Sequence, residues 1–156
     1  MKQVMDRKAA DNKYLHRDFH VSGDIGLAYV GGHYGDNGVR EYLRIFAARQ
    51  YAPLVAKIMT DGLSALEEHI LHIYAIEEAS DLVKTTLSEN ELFVEVSACP
   101  AVGFMRKSGH EPSKWYIELT RTVNEQIADD AGLGHEMFDY DPETGAASYR
   151  FFRRFF

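Results

Sequence analysis

Apolar residues recur at three- and four-residue intervals through the first half of the chain, and this period predicts helices. One helix is expected over about residues 13–34, and a second begins at Asp36, which is a suitable N-cap. A third is expected after a turn at residues 61–62, with Ser64 and Glu67 forming a capping box. The apolar positions expected to face inward are Phe19, Leu27 and Val30 in the first helix and Val39, Leu43 and Phe46 in the second.

Two regions of the second half alternate apolar and polar residues, which is the pattern of a half-buried strand. Residues 82–98 are predicted to form two strands around a turn at residues 88–90. In the second of these strands Leu92, Val94, Val96 and Ala98 share one face, and Phe93, Glu95 and Ser97 share the other. Residues 135–152 are predicted to form two further strands around a turn at residues 141–145. We therefore expect two hairpins.

Between the hairpins, residues 113–132 have the period of a helix, with Ser113 as its N-cap and Gly132 as its C-terminal stop. The order helices–hairpin–helix–hairpin predicts an α+β fold in which an N-terminal helical layer packs on a small antiparallel sheet. We expect one domain over residues 13–156, after a flexible N-terminus over residues 1–12. The residues expected to be buried in its core are Leu43, Phe46, Ile70, Val94, Val96 and Ile127.

The charge balance narrows the classes of partner. The chain has 24 acidic and 17 basic residues and a net charge of −7, which argues against nucleic acid or an acidic membrane surface as the main partner. No run of about 18 apolar residues is present to span a membrane. The one cysteine excludes an intramolecular disulfide and fits the cytoplasm. A small molecule is the expected partner, and a homo-oligomer is left open.

Two histidines one helical turn apart, His16 and His20, are the first candidates for chemistry. At about 100° per residue they fall on the same stripe as Leu27, and Gly23 is expected to leave space beside them. Two imidazoles facing a gap in a core can serve as acid and base, or can hold a metal together with a third ligand. The alternative, favoured by spacing alone, is a pair of buried histidines bonded to backbone groups.

The only cysteine, Cys99, is the second candidate. If the strand period continues, its thiol lies on the face of Glu95 and Ser97. A nearby imidazolium would lower the pKa of the thiol and make it a nucleophile, whereas a carboxylate would raise that pKa. A small buried cysteine without a chemical role is the alternative.

The predicted helix over residues 113–132 carries Thr120 and Asn124 on its apolar stripe, where polar groups need partners. Those partners are either neighbouring backbone groups or a bound ligand. Arg121 lies off this stripe and is expected to pair with Glu118 or Glu125, on a face that we expect to be solvated. The pair His69 and His72 is also expected on a solvated helix edge.

Several motifs together resemble the L-2-amino-thiazoline-4-carboxylic acid hydrolase family over residues 13–152: "KYLHRDFH", "HYGDNGVREYLRIFA", "YAPL", "CPAVGFM", "WYIELTRTVNE" and "YDPETGAASYRFFR". The order of elements after residue 82 is also similar to V4R-type and Bet3-like domains, which bind small or lipidic molecules. The family usually carries several cysteines in this half, and this chain has only Cys99.

The resemblance implies a hydrolase that opens a cyclic thiazoline amidine to an N-carbamoyl cysteine, without a metal or other cofactor. In that role His16 and His20 form the acid–base pair and Cys99 is the candidate nucleophile. Thr120 and Asn124 donate hydrogen bonds to the substrate, and Arg121 holds its carboxylate if the side chain turns inward. The alternative is a non-catalytic ligand-binding or sensor domain on the same fold.

Overall fold

The computed structural model describes residues 17–155 and has the predicted α+β architecture, with helices packed on a four-stranded antiparallel sheet. The helices are α1 (Asp18–Gln50), α2 (Ala52–Asp61), α3 (Leu63–Ile76), α4 (Pro100–Lys107) and α5 (Glu118–Asp130). The strands are β1 (Val83–Leu87), β2 (Glu91–Val96), β3 (Leu133–Tyr140) and β4 (Ala147–Arg153). Both predicted hairpins are present, and β2 pairs with β4 to join them in the order β1-β2-β4-β3.

Helix α1 is two helical segments that meet at Gly35, whose φ of 71° is readily adopted only by glycine. The predicted boundary between two helices is therefore confirmed. The carboxylate of Asp36 makes no capping bond and instead accepts a hydrogen bond from Trp115 Nε1 at 2.8 Å. The Trp115 ring lies directly against Gly31, where any side chain would overlap it. These contacts hold the segment before α5 on α1.

The predicted N-caps of two other helices are wrong. Helix α3 begins at Leu63 after Gly62, whose φ of 77° forms the turn, so Ser64 lies inside the helix. Glu67 does not complete a capping box but accepts a hydrogen bond from Thr85 on β1 at 2.7 Å. Glu67 was expected to cap its own helix and instead links α3 to the sheet.

Helix α5 begins at Glu118, after a series of turns, so Ser113 is not its N-cap. Gly132, with φ of 71°, follows α5 as predicted. The short helix α4 was not predicted, and it begins with Pro100, a residue that suits the first turn of a helix because its missing N–H is not needed there. Helix α4 places the residue before it, Cys99, between the sheet and the helical layer.

Most of the predicted core is confirmed, because Leu43, Ile70, Val94, Val96 and Ile127 are buried. Phe46 is 40% exposed and Phe19 is 71% exposed, so these two assignments are wrong. The buried stripe of the second segment of α1 is Val39, Leu43 and Ala47, and that of the first segment is Asp24, Leu27 and Gly31. The buried stripe of each segment is only one residue wide, and Phe19 and Phe46 lie outside it.

Candidate functional site

A cavity of about 290 Å³ lies between the helical layer and the sheet and is lined by residues of α1, α3, α4, α5 and β4. Its apolar wall includes Leu66, Ile70 and Ile73 on α3 and Leu119, Val123 and Ile127 on α5. The polar side chains that reach it are His20, Tyr51, His69, Tyr74, Glu77, Cys99, Tyr116, Thr120, Asn124 and Tyr149. The volume is near the lower end of the range for small-molecule sites, so the cavity suits a small ligand.

A hydrogen-bonded pair, His20 and Glu77, lies in the wall of this cavity. His20 Nε2 is 2.7 Å from Glu77 Oε1, and the two side chains are 23% and 8% exposed. Because Nε2 faces a carboxylate, it carries the proton that forms this bond, and the lone pair of the neutral ring is on Nδ1. The edge of the imidazole also packs near Phe104 on α4, with 6.4 Å between ring centroids. The pair therefore has a fixed orientation.

The second oxygen of the same carboxylate, Glu77 Oε2, is buried and accepts no hydrogen bond from residues 17–155. Its ion-pair partner in that part of the chain is Arg17, whose Nε is 3.7 Å away. The Arg17 guanidinium donates instead to the backbone carbonyl of Glu77 and to the side chain of Glu78, both at 3.2 Å. Buried carboxylate oxygens are normally hydrogen-bonded, so Oε2 has acceptor capacity left over.

The backbone beside Glu77 is strained. Glu78 has φ of 56°, in the left-handed region that residues other than glycine seldom adopt. Such strain is commonly found where the surrounding structure holds a functional side chain in place. Here it ends α3 and fixes the position from which Glu77 reaches His20.

Cys99 lines the same cavity and is fixed by the turn between β3 and β4. Its backbone N–H donates to Thr144 O at 2.8 Å, and Gly145 packs directly against its Cβ. Burial raises the pKa of the Cys99 thiol; the N–H groups of Val102 and Ala101 oppose this, and the Glu77 carboxylate reinforces it. The thiol is therefore protonated near pH 7.

Four tyrosines, Tyr51, Tyr74, Tyr116 and Tyr149, line the cavity and stay protonated in it, because burial raises the pKa of each above the ordinary value of 10.0. The Asn124 side chain lies near the Tyr149 hydroxyl and partly opposes the rise in the pKa of Tyr149. Neutral hydroxyls can donate to and accept from a ligand.

A wider surface groove of about 540 Å³ beside α2 and α3 adjoins the cavity, and Tyr51 and His69 line both. The ring of His69 meets that of Tyr51 edge-on, with 5.7 Å between centroids. Burial lowers the pKa of His69, and the neighbouring His72 acts in the same direction, so His69 is neutral at pH 7. His72 is exposed as expected, whereas the assignment of His69 to a solvated edge is wrong.

Four of the residues singled out in the sequence, His20, Cys99, Thr120 and Asn124, come together in the cavity. Arg121 does not line it but is paired with Glu118 on the same helix. His16, like the expected flexible N-terminus, lies outside the described residues. Gly23 is exposed, and a side chain there would meet nothing within 4 Å, so the expectation that it opens space in the core is wrong.

Glu118 is buried rather than solvated, which corrects the expected exposed face of α5. It is 3% exposed and binds Arg121, as the helical spacing predicted. It also accepts from Thr122 at 2.6 Å and from Arg40 at 3.3 Å. These partners hold its pKa below the ordinary value, although its burial acts in the opposite direction. The cluster ties α1 to α5 and engages Arg121 away from the cavity.

A second pair of a histidine and a carboxylate lies at the junction of α1 with the segment before α5. Asp24 is 1% exposed and accepts hydrogen bonds from His110 Nε2 at 2.7 Å, from the Ser113 hydroxyl at 2.7 Å and from the Ser113 N–H at 2.8 Å. Both of its oxygens are bonded. The three bonds fasten residues 110–113 to α1 and so position Tyr116 at the cavity.

Sequence reasoning missed Glu77, His69 and the four tyrosines. For His69 a signal was present, because Leu66, His69, Ile70 and Ile73 are spaced as one helical face. For Glu77 there was none, since it belongs to a polar run after α3 that has the composition of a solvated helix end.

Among residues 17–155, no group of three or more His, Cys, Asp or Glu side chains is arranged to hold a metal ion. In the same part of the chain, every helix is too short or too polar to cross a membrane. Comparisons with protein-family models, with curated proteins and with solved structures found no significant match to this chain.

Proposed function

We propose that the cavity is the active site of a hydrolase that opens a small cyclic substrate with C–N and C–S bonds, of the thiazoline amidine kind. The observation that carries the proposal is the His20–Glu77 pair, 2.7 Å apart in the wall of a cavity that also contains Cys99, Thr120 and Asn124. The motif resemblance to the L-2-amino-thiazoline-4-carboxylic acid hydrolase family supports the same chemistry. We place the activity in the cytoplasm, where a lone thiol stays reduced.

In the proposed reaction, His20 acts as the general base. With Nε2–H donated to Glu77, the lone pair on Nδ1 takes a proton from the water that attacks the carbon between sulfur and nitrogen. The Glu77 carboxylate stabilises the imidazolium that forms and keeps the ring in one tautomer. The imidazolium then returns the proton to the departing ring atom, so the bond to that atom breaks without leaving an unprotonated anion. Thr120 and the Tyr116 hydroxyl supply hydrogen bonds to the substrate.

A direct role for water is favoured over attack by Cys99. Burial and the nearby Glu77 carboxylate both disfavour the thiolate, which is the nucleophilic form of cysteine. A covalent route through Cys99 first requires transfer of the thiol proton to a base such as His20. In the water route Cys99 shapes the cavity wall, and replacing it with serine leaves turnover largely intact.

The second candidate function is a non-catalytic ligand-binding or sensor domain. It is favoured by the lining itself, which combines apolar walls from α3 and α5 with protonated tyrosines. Such a surface holds a ligand by burial and neutral hydrogen bonds without any reacting group.

Turnover of a defined probe separates the two candidates. Purified protein is incubated with 2-aminothiazoline-4-carboxylate and with 2-aminothiazoline, and the thiol released by ring opening is followed with a thiol reagent and by mass spectrometry. We expect turnover of at least one probe, and we expect His20→Gln to reduce it by about 100-fold or more, as for the loss of a general base.

The matched control is His33→Gln, because His33 is exposed on the same helix and outside the cavity. Circular dichroism confirms that both variants are folded. Binding of a probe without any turnover would contradict the hydrolase and support the sensor. Turnover that is equal in wild type and His20→Gln would show that the reacting groups lie elsewhere.

A further inference from the structure

We propose that Glu77 Oε2 is a recognition point for a cationic N–H head group, so that the cavity selects a small amidinium or ammonium compound over a carboxylate. This inference rests on the cavity being the ligand site of the proposed function. The inference adds the charge of the ligand and the protein atom that binds the charged group.

The first support is the state of the acceptor. The Glu77 side chain is 92% buried and lines the cavity, its Oε1 is taken by His20, and its Oε2 accepts no hydrogen bond from residues 17–155. At 3.7 Å, Arg17 Nε is too far away to donate a normal hydrogen bond to Oε2. Oε2 itself has almost no accessible surface, so an ammonium or amidinium N–H of a ligand supplies that bond only when the carboxylate turns toward the cavity; a charge-assisted bond of this type is among the strongest in proteins.

The second support is the charge of the whole lining. Among residues 17–155, no lysine, arginine or aspartate lines the cavity, and Glu77, which forms an ion pair with Arg17 outside the lining, is its one acidic side chain. The four tyrosines and Cys99 are protonated, and His69 is neutral. A ligand carboxylate would therefore be desolvated beside an existing carboxylate, with Arg121 held by Glu118 outside the cavity. A ligand cation would instead form an ion pair with the Glu77 carboxylate.

The third support is the shape and chemistry of the remaining wall. A volume of about 290 Å³ leaves room for one ring or a short chain beside the carboxylate. The lining includes the aromatic rings of Tyr74, Tyr116 and Phe46, and a cation or a flat delocalised group can bind against the π electrons of such rings. An amidinium on a small apolar ring meets both requirements.

Three probes of nearly the same shape test the inference: benzamidine, which is cationic, benzamide, which is neutral, and benzoate, which is anionic. Their affinities for the full-length protein are measured at neutral pH by titration calorimetry or by NMR. We expect benzamidine to bind at least about 10-fold more tightly than benzamide, which corresponds to one charge-assisted bond, and benzoate to bind most weakly.

The variant Glu77→Gln should remove the preference for benzamidine over benzamide, while binding of benzamide changes little. The matched control is Glu125→Gln, which makes the same substitution on α5 outside the cavity and should keep the preference. If Glu77→Gln fails to fold, the order of the three probes on the wild-type protein decides the question.

Benzoate binding as tightly as benzamidine would overturn the inference, and so would equal binding of all three probes or no binding of any. Turnover of the thiazoline probes is measured separately, so its failure and the failure of the charge preference can be told apart. Suppose that the protein turns over 2-aminothiazoline-4-carboxylate but binds benzoate more tightly than benzamidine. The proposed function would then stand, and the proposal that Glu77 binds a cationic group of the ligand would be rejected.

Discussion

Two pairs of histidine and carboxylate, His110–Asp24 and His20–Glu77, have the same 2.7 Å separation and differ in what surrounds them. In each, a side chain of α1 reaches across the helical layer to a distant part of the chain. The distance alone gives no reason to assign one pair to structure and the other to function.

The difference lies in the carboxylate oxygens. Both oxygens of Asp24 accept hydrogen bonds, from His110 and from the hydroxyl and N–H of Ser113. Glu77 uses Oε1 for His20 and leaves Oε2 without a hydrogen bond from the described residues, beside a cavity. A fully bonded carboxylate stabilises the fold and has nothing to offer a ligand, whereas a half-bonded one is costly for the fold and useful to a ligand.

The largest effect on stability is expected for the bonded member, from Asp24→Asn. The amide oxygen can still accept from His110 and the Ser113 N–H, and the amide N–H can donate to the Ser113 hydroxyl, but all three hydrogen bonds lose the negative charge that strengthens them. We expect a loss of about 2–3 kcal/mol in the free energy of unfolding, measured by urea denaturation. A loss below about 0.5 kcal/mol, the usual scatter of neutral surface changes, would show that the Asp24 cluster does not hold residues 110–113 on α1.

A third histidine, His135 on β3, extends the comparison because it pairs with aromatic rings rather than a carboxylate. Its ring lies 5.7 Å from that of Tyr149 and 5.0 Å from that of Phe151, and both its nitrogens are buried without a hydrogen bond from residues 17–155. Burial lowers the pKa of His135 from 6.5 to about 4, with only a small opposing effect of Glu136. The folded protein thus favours the neutral ring.

The sign of the resulting pH dependence follows from this lowered pKa. Between pH 6.5 and about 4, His135 binds a proton in the unfolded chain but not in the folded protein. The free energy of unfolding therefore falls as the pH falls through this window. The pKa difference sets an upper limit of about 3 kcal/mol, and partial access of water reduces the expected loss to about 2 kcal/mol. Urea denaturation at several pH values measures it. His135→Phe should flatten the curve in this window, and an unchanged curve would contradict the assignment.

The elements that the sequence predicted correctly depend on neighbours along the chain. The alternation of Leu92, Val94 and Val96, the break near Gly35 and the stop at Gly132 are local patterns, and the structure keeps all three. Helix α4 was missed because it has only eight residues and contains Gly103, too little for a period to be seen. Phe19 was misplaced because the inward stripe of the first segment of α1 includes an aspartate and a glycine, and Phe46 was misplaced because its small neighbour Ala47 takes the inward position in the second segment.

The candidate site was predicted only in part, for a physical reason. His20, Thr120 and Asn124 were found because they are polar residues on apolar helical stripes, and a stripe can be read from one segment. Glu77 was not found because its burial depends on His20, 57 residues away, just as that of Asp24 depends on His110, 86 residues away. A polar residue that is buried by a distant partner looks like a solvated one in the sequence.

The smallest effect on stability is expected for Glu77→Gln, because only one oxygen of the Glu77 carboxylate is hydrogen-bonded by the described residues. This variant is the sharpest test of the comparison between the two histidine–carboxylate pairs. Glu77→Gln keeps an oxygen for His20 Nε2 and removes the charge from an oxygen that has no hydrogen bond from the described residues. The ion pair that it loses joins a buried carboxylate, 8% exposed, to an Arg17 side chain that is 39% exposed, with 3.7 Å between Oε2 and Nε, so the pair is long and water screens it on the arginine side. We expect the free energy of unfolding to change by less than about 1 kcal/mol, in the same urea titration that is used for Asp24→Asn.

The same Glu77→Gln variant should lose turnover of the thiazoline probe by about 100-fold or more, because glutamine cannot stabilise an imidazolium as a carboxylate does. One amide substitution would then damage the fold and the other would damage only the chemistry. If Glu77→Gln instead destabilises the protein as much as Asp24→Asn and leaves turnover unchanged, the two pairs are alike. The free acceptor at Oε2 would then be a structural imperfection rather than the mark of a site, and the search for the reacting groups would move to Cys99 and its neighbours in the cavity.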